Sequence, residues 1–361
     1  MDKKTVIIAG GGTGGHIYPG IAIARALQEK DPDLEIHFVG TPAGLENKIV
    51  PKEGFPLHLM TIGKLNTGGG LIGKIKTLFG IPKAMIQSAA LLMELKPEAV
   101  LGVGGYASGP FVLMASLLGF RAAIWEPNAK PGLTNRWLSR FVRRSFVVFE
   151  DAVRELKSKK IVSVGLPVRA EVEQVKDRAA DGADFHVLIF GGSQGARSIN
   201  HAVRDLLKLD PEWRQDIRFV HQTGTADYKS ISEAYQGISG VNAFEFLHDM
   251  DQRYLWADMV ICRSGASTVA ELAAVRRPAI LIPLPSAADD HQRKNAESLV
   301  QRDAALMVPQ SELTPERLKE EILKLKNDSQ RRLTMRENLR NFHKPKAAHK
   351  IADLILSPGD V

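Results

Sequence analysis

The chain has 361 residues, 44% apolar and 25% charged with 6% aromatic, the composition of a folded protein long enough for two cores, which excludes a single small module and a disordered chain. Its one cysteine, Cys262, can close no intrachain disulfide and supply no cysteine-rich zinc site. Net charge is +7, but Gly54 to Phe149 holds eleven Lys/Arg against three acids, a net +8 that calls for an anionic partner: nucleic acid, an acidic lipid surface or a phosphorylated substrate.

Thr5 to Ala9 is an apolar run that ends in glycines; it reads as a first strand and is too short for a secretory signal core, so a cytoplasmic location is expected. Helical spacing follows at Ile17, Ile21, Ala24 and Leu27, then a strand at Leu34–Val39. From Gly54 to Met93 there is no Asp or Glu, and Leu71, Ile72, Ile75, Leu78 and Phe79 fall on one helical face near Lys74, Lys76 and Lys83. That face either packs into the core or lies on a membrane; the lysines favour contact with anionic inner-membrane lipids. Ala99–Val103 and Ala122–Trp125 read as strands and Phe111–Leu118 as a buried helix. The longest apolar run, Pro110 to Phe120, is well short of the roughly 18 residues that cross a bilayer. Asp151–Lys160 reads as a charged helix and Val164–Val168 as a linker. Beyond it come strands at Ile217–Gln222, Met259–Cys262 and Ala279–Ile282, and polar helices from Thr314 to Arg340.

The opening unit recurs: Thr5-Val-Ile-Ile-Ala-Gly-Gly-Gly-Thr-Gly-Gly matches His186-Val-Leu-Ile-Phe-Gly-Gly-Ser-Gln-Gly-Ala at an offset of 181 residues, each followed by a helical pattern. The alternation and the repeat predict an α/β protein of two Rossmann-like domains, 1–165 and 166–344, facing each other across a cleft. Gly10–Gly15, Gly102–Tyr106 and Gly191–Gly195 are strand-to-helix turns of the kind that bring amides and a helix dipole to a phosphate. The first satisfies G-x-G-x-x-G, but the next strand ends Phe38-Val39-Gly40-Thr41 without the acid a nicotinamide ribose requires. In Cys262–Leu272, Ser264 to Thr268 offer hydroxyls and amides at a helix start, and Glu271 can accept from two vicinal ribose hydroxyls; a capped helix explains the same residues. Asp289–Asn295 carries His, Gln and Asn suited to sugar hydroxyls. His16 follows the first glycine loop, and Glu126 and Asn128 end another strand, where they could face the same cleft. Asp31/Asp33 and Asp249/Asp251 match Asp-x-Asp, but their positions before a strand and before a helix read as structural, so neither a metal nor another cofactor is expected.

Gly-Gly-Gly-Thr-Gly-Gly-His at 10–16, Gly-Gly-Tyr-Ala-Ser-Gly-Pro at 104–110, Gly-Gly-Ser-Gln-Gly-Ala-Arg at 191–197 and Arg-Ser-Gly-Ala-Ser-Thr-Val-Ala-Glu at 263–271 together closely resemble the MurG family. The resemblance implies the GT-B fold and an inverting, metal-independent transfer of N-acetylglucosamine from UDP-GlcNAc to the 4-hydroxyl of lipid I, the lipid-linked MurNAc-pentapeptide. This forms lipid II for peptidoglycan, and so for cell-wall growth and division, at the cytoplasmic face of the membrane. It implies that the second domain holds the donor, with Ser193 at the diphosphate, the Leu247 backbone at the uracil, Ala266, Ser267, Thr268, Val269 and Ala270 at the phosphates, Glu271 at the ribose and Gln292 at the GlcNAc. Thr13, Gly14, Gly15, Asn128 and Arg169 would close the site from the other side of the cleft, His16 would be the base, and a last helix from about Pro345 to Leu356 would return to the first domain, which would hold the lipid acceptor. The family usually has His-Glu-Gln-Asn where this chain has Trp125-Glu126-Pro127-Asn128. The alternatives are a nucleotide-sugar epimerase of the same fold and a basic nucleic-acid-binding protein; the interleaving of Lys/Arg with aliphatic residues disfavours nucleic acid.

Overall fold

The computed structural model describes residues 4–61, 70–105, 107–175 and 184–357, with the side chains of 70–81 outside that description. The chain forms two compact units, Met1–Pro167 with Lys346–Val361, and Val168–Pro345.

The first unit runs β1 (Thr5–Gly10), α1 (Gly14–Lys30), β2 (Glu35–Gly40), α2 (Glu46–Lys52), β3 (Leu57–Leu59), α3 (Gly70–Leu95), β4 (Ala99–Gly104), α4 (Ser108–Leu117), β5 (Ala122–Glu126), α5 (Leu133–Leu138), β6 (Arg144–Val147) and β7 (Lys160–Ser163). Its sheet has the order β3-β2-β1-β4-β5-β6-β7, and every pairing is parallel. Parallel strands need crossovers, and these are right-handed. Connections that step from β1 toward β3 therefore put α1 and α2 on one face, and those that step toward β7 put α3, α4 and α5 on the other. Both faces being covered, every residue of the apolar runs β1 and β4 is buried. The charged stretch after β6 is not a helix: Glu150–Glu155 is a short 3-10 segment, and Lys160 already opens β7. Only Ala152 and Leu156 of this segment are buried in the core, and the remaining side chains are polar or exposed, so its apolar face is too small to draw out a longer helix.

The second unit runs α6 (Ala170–Glu173), β8 (Phe185–Phe190), α7 (Arg197–Leu207), β9 (Ile217–Gln222), α8 (Tyr228–Ala234), β10 (Val241–Phe244), α9 (Met250–Trp256), β11 (Met259–Cys262), α10 (Ala266–Val275), β12 (Ala279–Leu281), α11 (His291–Val300), β13 (Leu306–Met307), α12 (Pro315–Asn327) and α13 (Ser329–Arg340). Its parallel sheet has the order β10-β9-β8-β11-β12-β13.

The last helix, α14 (Ala347–Leu356), belongs to the first unit and packs on α1. Lys30 pairs with Asp353 at 2.5 Å and His349 meets Glu29 at 2.9 Å. Arg121 donates to the Ile355 carbonyl at 2.7 Å, and Arg144 to that of Leu354, so two cations satisfy the helix's C-terminal oxygens where its dipole is negative.

Candidate active site

Strand order reverses between β1 and β4 in the first unit and between β8 and β11 in the second, and open α/β sheets bind ligands beyond the carboxyl ends of the strands at such points. All four glycine-rich or hydroxyl-rich loops lie there. In the first unit the Gly11 amide donates to the Gly104 carbonyl at 3.1 Å, and a Cβ on Gly105 would stand 2.4 Å from the Gly11 oxygen, so the two loops touch backbone to backbone. His16, in the first turn of α1, is half-buried with its ring on Gly104, where a Cβ would stand 2.7 Å from Cε1 and Nδ1. Thr13 occupies the N-cap of α1 in extended conformation without a capping side-chain bond. It is exposed, and the amides of Gly14 and Gly15 open the helix.

Glu126 is not a cleft residue. It is 2% exposed and accepts from Asn128 N (2.9 Å), Asn128 Nδ2 (3.2 Å), Gly132 N (3.1 Å) and Asn135 Nδ2 (2.8 Å). Burial raises its carboxyl pKa against these four donors. Its role is to shape the 126–132 loop, which leaves Asn128 as the half-buried member of that pair.

In the second unit Ser193 is exposed at the tip of the loop, and Gln222 Nε2 ties the loop down at the Gly192 carbonyl, 3.0 Å away. Gly195 has φ +72, and a Cβ there would stand 1.8 Å from the Thr223 oxygen. Across the switch point, α10 begins at Ala266, with Ser267 exposed and Thr268 half-buried. Glu271 Oε1 accepts from Arg169 Nε (3.2 Å) and Nη2 (3.0 Å), and its Oε2 from Tyr254 Oη (2.9 Å). Tyr254 is fully buried, and burial together with the Glu271 charge pushes its phenol pKa well up, so it remains a donor. An acid held by two donors beside a helix N-terminus suits a ribose flanked by phosphates.

Two family descriptions match this chain: the glycosyltransferase family 28 N-terminal domain over residues 6–147 and the family 28 C-terminal domain over 186–352. A Bdellovibrio bacteriovorus protein named UDP-N-acetylglucosamine–N-acetylmuramyl-(pentapeptide) pyrophosphoryl-undecaprenol N-acetylglucosamine transferase is 54% identical, covering 98% of this chain and 99% of its own. A Myxococcus xanthus protein of the same name is 44% identical over 97% of this chain and 91% of its own. The crystal structure of Acinetobacter baumannii MurG superposes with a TM-score of 0.82 at 32% identity, covering 98% of this chain and 99% of that one. The chain belongs to the MurG family. It is a glycosyltransferase with two parallel-sheet α/β domains.

Several side chains that the sequence offered to a ligand or to a helix cap are engaged otherwise. Ser264 is fully buried and donates to the Gln292 carbonyl at 2.8 Å; Asn295 is fully buried and donates to the Ser264 carbonyl at 3.1 Å. Neither can meet a sugar. Val269 and Ala270 have buried side chains, and the Val269 amide already donates to the Gly265 carbonyl at 3.0 Å, so the free amides at this helix start are those before it; the Leu247 side chain is buried as well and could offer only its backbone. Gln292 uses Oε1 on the Leu284 amide at 3.0 Å, while Nε2 makes no hydrogen bond among the described residues. Trp125, where the family usually has His, is a fully buried core side chain whose indole reaches the Gly165 carbonyl at 3.5 Å. Asp249 takes the N-cap position of α9, but its carboxylate pairs with Arg253 at 3.0 Å instead of capping.

Three supporting groups were given no role from the sequence, although Arg263 opens the 263–271 motif. Glu46 sits behind the first glycine loop. Arg263, 9% exposed, donates to the carbonyls of Ile282 and Pro283, to Ser198 and to Gln310, tying three other segments to its own behind the loops of the second unit. His221, fully buried, lies between Tyr235 Oη (2.8 Å) and Asn200 Oδ1 (3.0 Å). Asn200 Nδ2 donates to Thr223 and Asp227, so its Oδ1 must accept from His221 Nε2–H, and Tyr235 donates to Nδ1. Burial lowers the His221 pKa to about 3 and holds the ring neutral. The nearest thing to a signal was polar residues, Asn200 and His221, inside otherwise apolar elements.

Proposed function

We propose that this protein transfers N-acetylglucosamine from UDP-GlcNAc to the 4-hydroxyl of lipid I, with inversion, and releases UDP and lipid II. The observation that carries the reading is the Glu271 carboxylate, set between Arg169 and Tyr254 beside the start of α10, in a chain whose relatives bear that transferase's name. The second unit takes the donor: Ser193 and the amides of Ala266, Ser267 and Thr268 at the diphosphate, the Leu247 backbone at uracil, Glu271 at the ribose and Gln292 Nε2 at the sugar. The first unit takes the acceptor. His16 removes the proton from the attacking hydroxyl as the bond from the anomeric carbon to the UDP oxygen breaks, and loop amides hold the departing diphosphate. Thr13, Gly14, Gly15 and Asn128 line the reacting groups. The assay is transfer from labelled UDP-GlcNAc to a short-chain lipid I analogue. His16→Ala is expected to lower turnover roughly a hundredfold or more with UDP binding intact, and surviving turnover removes it as base.

The α3–α4–α5 face of the first unit is proposed to rest on anionic lipid. No helix among the described residues is long and apolar enough to cross a membrane. On this face Ile86 (71%), Leu117 (61%), Leu133 (62%) and Trp137 (57%) are exposed, the rings of Trp137 and exposed Phe141 lie 6.0 Å apart at a 33° tilt, and Lys83, Arg140 and Arg143 are exposed among them. The side chains of Leu71, Ile72, Lys74, Ile75, Lys76, Leu78 and Phe79 lie outside the described residues; the helical period puts positions 75 and 79 in register with 86. Ile75→Glu with Phe79→Glu is expected to abolish sedimentation with anionic liposomes and spare UDP binding; unfolding of that variant assigns the stripe to the core.

A further inference from the structure

The family expectations give Glu46 no part in the reaction, yet the first glycine loop is built around it. Glu46, the first residue of α2, is 1% exposed. Its Oε2 accepts from the Gly12 amide at 2.7 Å, and its Oε1 from the Thr41 amide at 2.9 Å and the Thr41 hydroxyl at 3.1 Å. A Cβ on Gly11, Gly40 or Gly44 would stand 2.3, 2.5 or 1.9 Å from this side chain, so three glycines make room for one carboxylate. No ion pair holds it among the described residues; amide and hydroxyl dipoles alone balance the charge.

We propose that Glu46 is a positioning residue for the transfer: a built-in anion that fills the inner side of an anion-binding turn. The carboxylate takes the Gly12 amide and ties it to the end of β2. The Gly11 amide goes to Gly104. What remains to face a substrate is the start of α1, Thr13 to Gly15, and the turn so fixed sets His16 on Gly104. A carboxylate is required because three donors converge on two oxygens; the amide of a glutamine would turn an N–H₂ toward an N–H.

The inference rests on the function proposed above, and chemical rescue tests it separately. Glu46→Ala leaves a hole the size of acetate, lined by the Gly12 amide and both Thr41 donors. The variant should lose roughly a hundredfold in kcat/KM for lipid I analogue, the cost of misplacing reacting groups by about an ångström, with UDP affinity of the second unit unchanged. Acetate or formate should restore turnover saturably, and acetamide, of the same shape without the charge, should not. Glu46→Gln should lose about tenfold or more and gain nothing from acetate, which its filled site excludes. A folded Glu46→Ala variant with wild-type kcat/KM, a loss that acetate leaves unrelieved, or equal relief by acetamide overturns the proposal. Should Glu46→Ala fail to fold, Glu46→Gln decides: native melting with reduced kcat/KM supports it, and wild-type kcat/KM overturns it. Wild-type protein that fails to transfer at all refutes the proposed function instead.

Discussion

Glu271→Ala removes one carboxylate from two unequal partners. Arg169 is half exposed, and its guanidinium returns to water when Oε1 is lost, at a cost of about 0.2 to 1 kcal/mol. Tyr254 is fully buried, and its hydroxyl cannot reach water; an unpaired buried donor costs about 1 to 3 kcal/mol. The tyrosine should therefore dominate. A loss near 2 kcal/mol lowers the unfolding midpoint of a unit this size by roughly 4 to 8 °C. Tyr254→Phe takes away the orphaned hydroxyl, so in that background Glu271→Ala should cost only the arginine's share. Calorimetry or urea unfolding on the four proteins of the cycle gives a coupling of about 1 to 2 kcal/mol if the reasoning holds. Equal costs in both backgrounds would refute it. The donor gives a second reading on the same proteins: Glu271→Ala should weaken UDP and erase its preference over 2′-deoxy-UDP, and Tyr254→Phe should reduce that preference. Unchanged UDP affinity in a folded Glu271→Ala protein removes the residue from the site.

His221 has a folded pKa of about 3 against 6.5 unfolded, so below pH 6.5 the unfolded chain takes up a proton the folded one refuses, and stability falls as pH falls through that window. The slope is about 1.4 kcal/mol per pH unit from this group; urea unfolding between pH 7 and 5 should show it in the wild type and not in His221→Gln, and parallel curves would refute the assignment. Gly195→Ala meets the Thr223 oxygen at 1.8 Å, while Gly192→Ala meets nothing within 4 Å although both positions have positive φ. The second should cost only the backbone strain of about 1 to 2 kcal/mol, the first that plus most UDP binding, and equal effects would discredit the contact argument. Transfer should persist in excess EDTA, since Asp31 accepts from the Asp33 amide at 3.3 Å in a local turn and Asp249 pairs with Arg253; abolition by EDTA with restoration by a divalent cation would overturn this.

What was legible in the sequence follows from what each residue answers to. β1, β4 and β11 are buried on both faces of a parallel sheet, so their continuous apolar runs announced them. β6 reads Arg144-Ser-Phe-Val, and its two polar residues are buried only because the Leu354 carbonyl and Ser158 meet them from distant segments. No local pattern encodes that. The glycine loops were visible because close backbone approach, as at Gly105 and Gly195, or positive φ, as at Gly12 and Gly192, favours glycine. Their supports were not: Glu46 reaches Gly12 across 34 positions and Tyr254 reaches Glu271 across 17, and one buried pair leaves no periodicity. Ser264 and Asn295 misled for the converse reason, since a hydroxyl or amide at a strand end suits a ligand and a neighbouring carbonyl equally well.

The two copies of the repeated strand, loop and helix also diverge in a way that bears on which one meets the leaving group. Each uses its glycines to admit something of the protein's own: in the first a carboxylate, in the second the Thr223 carbonyl against Gly195. The first loop thus carries a full buried negative charge with one inner amide already committed, and further anionic charge close by is opposed in a region of low dielectric. The second loop holds only a dipole. Arg169, expected on the far side from the donor loops, stands instead in the same unit as that loop and is bonded to Glu271, where the approach of a diphosphate would draw its guanidinium. A departing UDP gains negative charge as its bond to the sugar breaks, and the first loop is the worse place for it. The charge each loop encloses therefore argues for the proposed UDP leaving group at the second loop, and it requires an acceptor's pyrophosphate to meet the first loop at the start of α1, away from the amide that Glu46 holds.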